Sequence, residues 1–198
     1  MKKLLSLVLC LFVILAANSQ DKPEGLFINS KATDFKAKDQ NGKEISLKEI
    51  RKKGPVVMIF YRGFWCPYCN KELRRFSDSL NLIYDKGATL IAITPEGKEG
   101  IDSTSKRTGA AFTIISDQDM KISSSYGVNY KVDERTQGRY KNAGIDLKKI
   151  NSQKEVVLPV PAVYIINKDG YVTYRFFESD YKKRPWVKDI VEALGKTL

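Results

Sequence analysis

The chain has 198 residues, 42% of them hydrophobic, with Lys and Arg outnumbering Asp and Glu by 34 to 23 and no histidine, for a formal charge of +11. Such a length makes one domain and buries a core without covalent staples. With no histidine, no P-loop and no dinucleotide-type glycine pattern, proton transfer falls to carboxylates, tyrosines or water, and no cofactor is expected.

At the N-terminus, Lys2 and Lys3 precede an apolar run from Leu4 to Ala17 that ends in small residues. The pattern predicts a secretory signal over 1–19, cut ahead of Gln20. The run is shorter than the about 20 apolar residues of a spanning helix and contains Ser6, so no membrane anchor is expected after cleavage. Cys10 follows the bulky Leu9 inside the run, which argues against lipid attachment, and it leaves with the signal. Removing Lys2 and Lys3 leaves 11 − 2 = +9. The basic residues are interleaved with acids along the whole chain, which describes a solvated basic surface and no nucleic-acid partner. The reading places the mature protein, 20–198, in the periplasm or cell envelope as one domain.

Two short runs flank the turn Asp39-Gln40-Asn41-Gly42 and predict a β-hairpin at the domain entrance. Ser46 and Glu49 have capping-box spacing, so a short helix is predicted over Leu47–Lys52, ending at Gly54-Pro55. Val56 to Tyr61 is an unbroken apolar, β-branched and aromatic run, as in a strand buried on both faces. After Cys69, Leu73, Phe76, Leu80, Ile83 and Tyr84 recur at helical spacing, predicting four to five turns that end at Gly87. A strand over Ala88–Thr94, a helix near Glu96–Arg107, a strand over Phe112–Ile115 and a short helix over Met120–Gly127 follow. Alternation of strands and helices predicts an α/β fold with parallel neighbours. The segment 129–157 reads as an irregular insertion. Ala162–Ile166, a turn at 167–170 and Tyr171–Phe177 predict an antiparallel hairpin, and Pro185 opens a last helix whose apolar face covers the sheet.

Cys66-Pro67-Tyr68-Cys69 stands between the buried strand and the long helix. A structural zinc needs four Cys or His ligands, and the mature chain has only these two cysteines, so no metal is expected and a redox pair remains. Two thiols in an exported chain suit cycling better than stapling. The attacking species is the thiolate, which a helix start stabilises through unpaired N–H groups and the positive end of its dipole. Pro67 fits the first turn and puts Cys66 at an exposed cap. Arg62 is a candidate cation for the thiolate. Glu72 is the nearest carboxylate, and its place in the first helical turn reads as solvated.

From Ala32 onward the chain resembles the peroxiredoxin-like branch of the AhpC/TSA (redoxin) family, within the thioredoxin superfamily. The likeness is carried by Phe60 to Arg74 around the cysteines, Ser116-Asp117, Tyr126-Gly127-Val128, Leu158 to Ala162, Ser179-Asp180-Tyr181 and Arg184. It implies a thioredoxin-like fold, a central mixed β-sheet flanked by helices, with an N-terminal hairpin extension and an insertion before the last hairpin. It also implies that Pro161 is a cis-proline beside the cysteines and that Pro161 and Trp65 shape the substrate groove. The peroxiredoxin pattern, an acid three residues after the attacking cysteine, matches Cys69 and Glu72 and makes Cys69 peroxidatic and Cys66 resolving. The thioredoxin pattern assigns the reverse. Two features depart from true peroxiredoxins: Cys66 stands where a hydroxyl orients the peroxide, and Pro161 aligns near the thiol-activating arginine. Arg62 and Arg175 are the candidates to substitute for that arginine.

Three functions follow from the resemblance and the residues together. The first is a hydroperoxide-reducing thiol peroxidase that cycles through a Cys66-Cys69 disulfide and is re-reduced by an external dithiol such as a thioredoxin-like protein. The second is a thiol-disulfide oxidoreductase acting on protein disulfides in the envelope. The third is a non-catalytic thioredoxin-fold binding module, which the exposed position expected for the pair disfavours.

Overall fold

The computed structural model describes residues 22–197; the leader predicted over 1–19, with Cys10, lies outside them. The predicted entrance hairpin forms from β1 (Lys36–Lys38) and β2 (Glu44–Ser46), paired antiparallel. Asp39 Oδ1 ties its turn by accepting from the Asn41 and Lys43 amides, and Gly42 takes the positive φ (+80°) the turn requires. Helix α1 (Leu47–Lys53) follows. The expected capping box is not made: Ser46 is still the last residue of β2 and its side chain bonds no amide, while Glu49 pairs with Lys52 instead.

Strand β3 (Val56–Phe60) is buried at every position, as its unbroken apolar run demands. The cysteine segment leads into α2 (Pro67–Asp78) and α3 (Leu80–Tyr84). The single predicted helix is thus two, broken at Ser79 (φ −113°, ψ 15°). Ser77 Oγ already bonds back to the Leu73 carbonyl, the kind of local bond that weakens a helical turn. The chain continues through β4 (Thr89–Thr94), α4 (Lys98–Thr108), β5 (Thr113–Ser116) and α5 (Lys121–Ser125).

The segment predicted to be irregular is folded. It holds β6 (Asn129–Lys131), α6 (Glu134–Asn142), α7 (Leu147–Asn151) and β7 (Val157–Pro159), with β6 and β7 paired antiparallel. Its polar sequence hid two short helices that depend on aspartate caps: Asp133 accepts from the Thr136 amide and Asp146 from the Lys149 amide. Val132, Leu147, Val156 and Leu158 form a small core of their own. Strands β8 (Ala162–Ile166) and β9 (Val172–Phe177) make the last hairpin, and α8 (Val187–Gly195) closes the chain. Pro185 lies outside that helix; Trp186 is its N-cap.

The central sheet has the order β5-β4-β3-β8-β9, with β3, β4 and β5 parallel and β8 and β9 antiparallel, a mixed sheet flanked by helices. Residues of β3 alternate between two cores. Val57 and Ile59 pack with Leu73, Phe76, Ile101, Ile190 and Leu194 on the face covered by α2, α3, α4 and α8. Val56, Met58 and Phe60 pack with Leu47, Ile122, Tyr126 and Tyr164 on the other. Both cysteines belong to the first face.

Asp117 joins the second face to the sheet. Its carboxylate, 2% exposed, accepts from the amides of Ile122 and Ser123 and from the Ser123 hydroxyl, while its own amide bonds the Thr94 carbonyl. Replacing Asp117 with Ala leaves buried donors unpaired and should cost about 2 kcal/mol. A thermal melt should show a midpoint on the order of 5 °C lower; an unchanged midpoint would show that the α5 amides find other partners.

Candidate active site

Cys66 is the N-cap of α2, with Pro67 at its first position. Strand β3 aims the chain at this point, and Gly63 lets the turn close. Its φ of +149° suits glycine, and a Cβ there would lie 2.5 Å from Glu96 Oε1 and Trp65 Nε1. The Phe64 amide donates to both Glu96 carboxylate oxygens, at 2.9 and 3.0 Å, and Asn70 Nδ2 bonds the Phe64 carbonyl at 2.7 Å. The loop is therefore held from the β4–α4 connection and from α2 at once. Glu96, which the sequence put at a helix start, is fully buried, and burial pushes its carboxyl up to about 8.

Both sulfurs are completely buried, which corrects the expectation of an exposed cap; Pro67 and Tyr68 are what solvent meets. The thiols are free, with Sγ atoms 2.7 Å apart. Three donors converge on Cys66 Sγ: the Cys69 thiol at 2.7 Å, Arg62 Nη2 at 3.1 Å and the Cys69 amide at 3.4 Å. The hydrogen bond from Cys69, with the Arg62 charge behind it, outweighs burial and lowers the Cys66 thiol to about 6. Burial and the bond it donates push Cys69 well above the ordinary thiol range.

Arg62 is only 2% exposed. Its guanidinium lies over the rings of Tyr181, 3.9 Å from the centroid, and Trp65, at 5.0 Å, and its Nη1 donates to the Tyr140 hydroxyl at 2.9 Å. On the other side, Arg184 Nη2 stands 3.5 Å from Cys69 Sγ, while its Nε bonds Glu72 Oε2 at 2.8 Å. Glu72 is buried, not solvated as its helical position suggested: it points inward from α2 because Arg184 meets it there. Burial raises the Glu72 carboxyl, and Arg184 pulls it back.

Of the predicted site residues, the structure brings together Cys66, Cys69, Arg62 and Trp65. It separates Arg175. On β9 that residue pairs with Tyr164, which belongs to the face opposite the cysteines. Its guanidinium bonds the Leu26 and Glu24 carbonyls and lies over Phe27 and Phe177, so it anchors the N-terminal segment and not a sulfur. Pro161 is buried where β8 begins, and Ala162 pairs with Phe60, at the end of the sheet that carries the cysteine loop. The expected cis bond is absent, since no peptide among the described residues is cis. Val160 instead donates to the Val128 carbonyl at 2.7 Å, holding a direct run from β7 into β8. Tyr140 was missed because nothing in a polar segment marks one tyrosine; Tyr181 and Arg184 stood among the resemblance residues without a role.

Residues 28–175 match the AhpC/TSA family profile. The chain belongs to the AhpC/TSA family. Chloroplastic peroxiredoxin Q from Sedum lineare is 33% identical over 94 residues, which are 48% of this chain and 50% of that protein. The chain thus spans about half the length of that peroxiredoxin Q. The thiol-disulfide oxidoreductase ResA of Bacillus thuringiensis (strain Al Hakam) is 25% identical over 162 residues, 81% of this chain and 76% of that protein. Among solved structures, the peroxidoxin BcpB of Mycobacterium tuberculosis superposes with a TM-score of 0.69 at 17% identity, covering 86% of this chain and 97% of its own. Xanthomonas campestris peroxiredoxin Q gives 0.62 at 17% identity, covering 82% and 90%. The fold of this AhpC/TSA protein is that of the thioredoxin-like peroxiredoxins.

Thiolate ultraviolet absorbance of the reduced protein, taken as the difference from Cys66→Ser, should titrate with a midpoint of about 6. The thiolate would be present above that pH and lost as pH falls through it. Arg62→Gln should move the midpoint toward the ordinary thiol value of about 8.5, lowering the thiolate fraction at neutral pH several-fold. A wild-type midpoint already in the ordinary range would refute the assignment of Cys66 as the thiolate.

Proposed function

We propose that the protein is a thiol peroxidase that reduces hydroperoxides through a Cys66-Cys69 disulfide cycle, with Cys66 attacking. The observation that carries this is a thiolate-stabilising set of donors on Cys66 inside a site closed to bulk solvent. Cys66 Sγ attacks one peroxide oxygen, the S–O bond forms and the O–O bond breaks. Sulfur loses two electrons, and the departing oxygen takes them with a proton from solvent as water or an alcohol. Cys69 then attacks the sulfenic sulfur; the S–S bond forms, and the hydroxyl leaves with the Cys69 proton as water. An external dithiol returns two electrons and two protons. A hydroperoxide of a few atoms needs a smaller opening to reach the buried Cys66 sulfur than a protein disulfide, which must bring its own backbone to it.

Disulfide exchange with proteins is the second reading, favoured by a specific observation: the low thiol is the helix-cap cysteine, the order of attack that the thioredoxin pattern assigns. The length of the ResA match supports it as well. In either reading the leader pattern supports work in the periplasm or envelope, with a thioredoxin-like dithiol as the reductant. No helix among the described residues is long and apolar enough to cross a membrane.

The test mixes reduced protein, residues 20–198, with one equivalent of hydrogen peroxide and follows free thiols. Fast loss to an intramolecular disulfide is expected, with Cys69→Ser still trapping one sulfenic acid and Cys66→Ser reacting no faster than a simple thiol. Loss at the rate of a simple dithiol would overturn the peroxidase reading and leave disulfide exchange. Trapping in Cys66→Ser alone would reverse the order of attack.

A further inference from the structure

The segment 129–157 carries no cysteine, yet it reaches the site twice. Trp65, the residue before Cys66, packs into that segment's small core, and the Tyr140 ring meets the Trp65 ring edge-on at 5.1 Å. The Tyr140 hydroxyl then accepts from Arg62 Nη1 at 2.9 Å, while the same guanidinium gives Nη2 to Cys66 Sγ at 3.1 Å. Among the described residues Arg62 Nε has no hydrogen-bond partner, so these two bonds, with the rings of Trp65 and Tyr181 and the neighbouring Tyr130, are what orient it.

An arginine this deeply buried reaches a sulfur only if its planar fork is held in register. Rotation of the guanidinium would exchange the N–H aimed at Cys66 for one aimed elsewhere. We infer that Tyr140 is a positioning residue: the segment 129–157 serves to hold Arg62 against Cys66, and the Tyr140 hydroxyl is the contact through which it does so. This rests on the proposed role of Cys66 as the attacking thiolate. It gives the segment a part in setting thiol reactivity without touching a reacting atom.

The groups that face the thiol are few. Arg62 and Cys69 touch it; Tyr130 from β6, Tyr140 from α6 and Tyr181 stand around Arg62 or Cys66. Arg184, Glu72, Glu96 and Tyr61 act on the Cys69 side. Tyr140→Phe removes one oxygen, changes no charge and keeps the ring against Trp65.

In the reduced full-length mature protein, the Cys66 thiolate absorbance should titrate about one pH unit higher in Tyr140→Phe. At the wild-type midpoint the thiolate fraction should then fall from half to about a tenth. Near-ultraviolet dichroism and a thermal melt establish that the variant is folded. Should it unfold, Tyr140→Gln and Tyr140→Leu separate hydrogen bond from bulk: the amide oxygen of Gln accepts from a guanidinium, so its midpoint should stay below that of Leu. A low wild-type midpoint that Tyr140→Phe leaves unchanged, or equal midpoints for Gln and Leu, would overturn this inference and leave the peroxidase reading standing. An ordinary midpoint in the wild type itself would remove the thiolate assignment, and the role of Tyr140 with it.

Discussion

Three hydrogen-bond donors gathered on one sulfur with no solvent exposure, one of them a buried guanidinium, are the arrangement on which the rest of this molecule depends. Moving an isolated anion out of water is too costly to sustain, so a buried thiol ordinarily keeps its proton. Cys66 escapes because the Cys69 thiol donates to it at 2.7 Å, Arg62 brings a full positive charge to 3.1 Å and the α2 N-terminus adds an amide at 3.4 Å. Arg62 in turn needs support, and the aromatic rings and hydroxyl about it provide this without a carboxylate that would compete with the sulfur. On the Cys69 side the pairing is different: Arg184 is already bound to Glu72, so less of its charge is available to the thiol. Two cysteines three residues apart are thereby made unequal.

That arrangement explains which parts of the fold were legible in the sequence. Strand β3 and the helix start declared themselves because burial on both faces and the Cys-Pro-Tyr-Cys spacing are local properties, readable from consecutive residues. Arg62 was legible for the same reason, being four residues from Cys66. Arg184 and Glu72 were not, because their bond joins residues 112 positions apart, and a glutamate in a first helical turn reads as solvated until its partner is known. Arg175 misled in the opposite way: it sits in the right hairpin, but its register with Tyr164 turns it to the other face.

The segment 129–157 shows a further reason for illegibility. Its helices have little apolar periodicity, and α6 has no buried residue. They persist because aspartate caps start them and because Val132, Leu147, Val156 and Leu158 gather residues that are apart in sequence into one small core. Trp65 joins that core, so the segment is anchored to the cysteine loop itself. Polar composition suggested irregularity; tertiary packing overrode it.

The inequality of the thiols also bears on the return half of the proposed cycle. Whatever stabilises the Cys66 thiolate stabilises the reduced protein relative to the disulfide, which makes the disulfide a better electron acceptor. The folded Cys66 lies below its unfolded value, so its contribution to reduced-state stability is fully present above the unfolded thiol range and is lost as pH falls through about 6. Cys69 lies above its unfolded value, so keeping its proton helps the reduced state at neutral pH, and that help fades as pH rises through its own raised value. Between those limits the reduced pair carries one thiolate and one thiol, joined by a single hydrogen bond. In the proposed cycle the attacking sulfur is then already charged, and the resolving sulfur holds the proton that must leave with the hydroxyl when the disulfide forms.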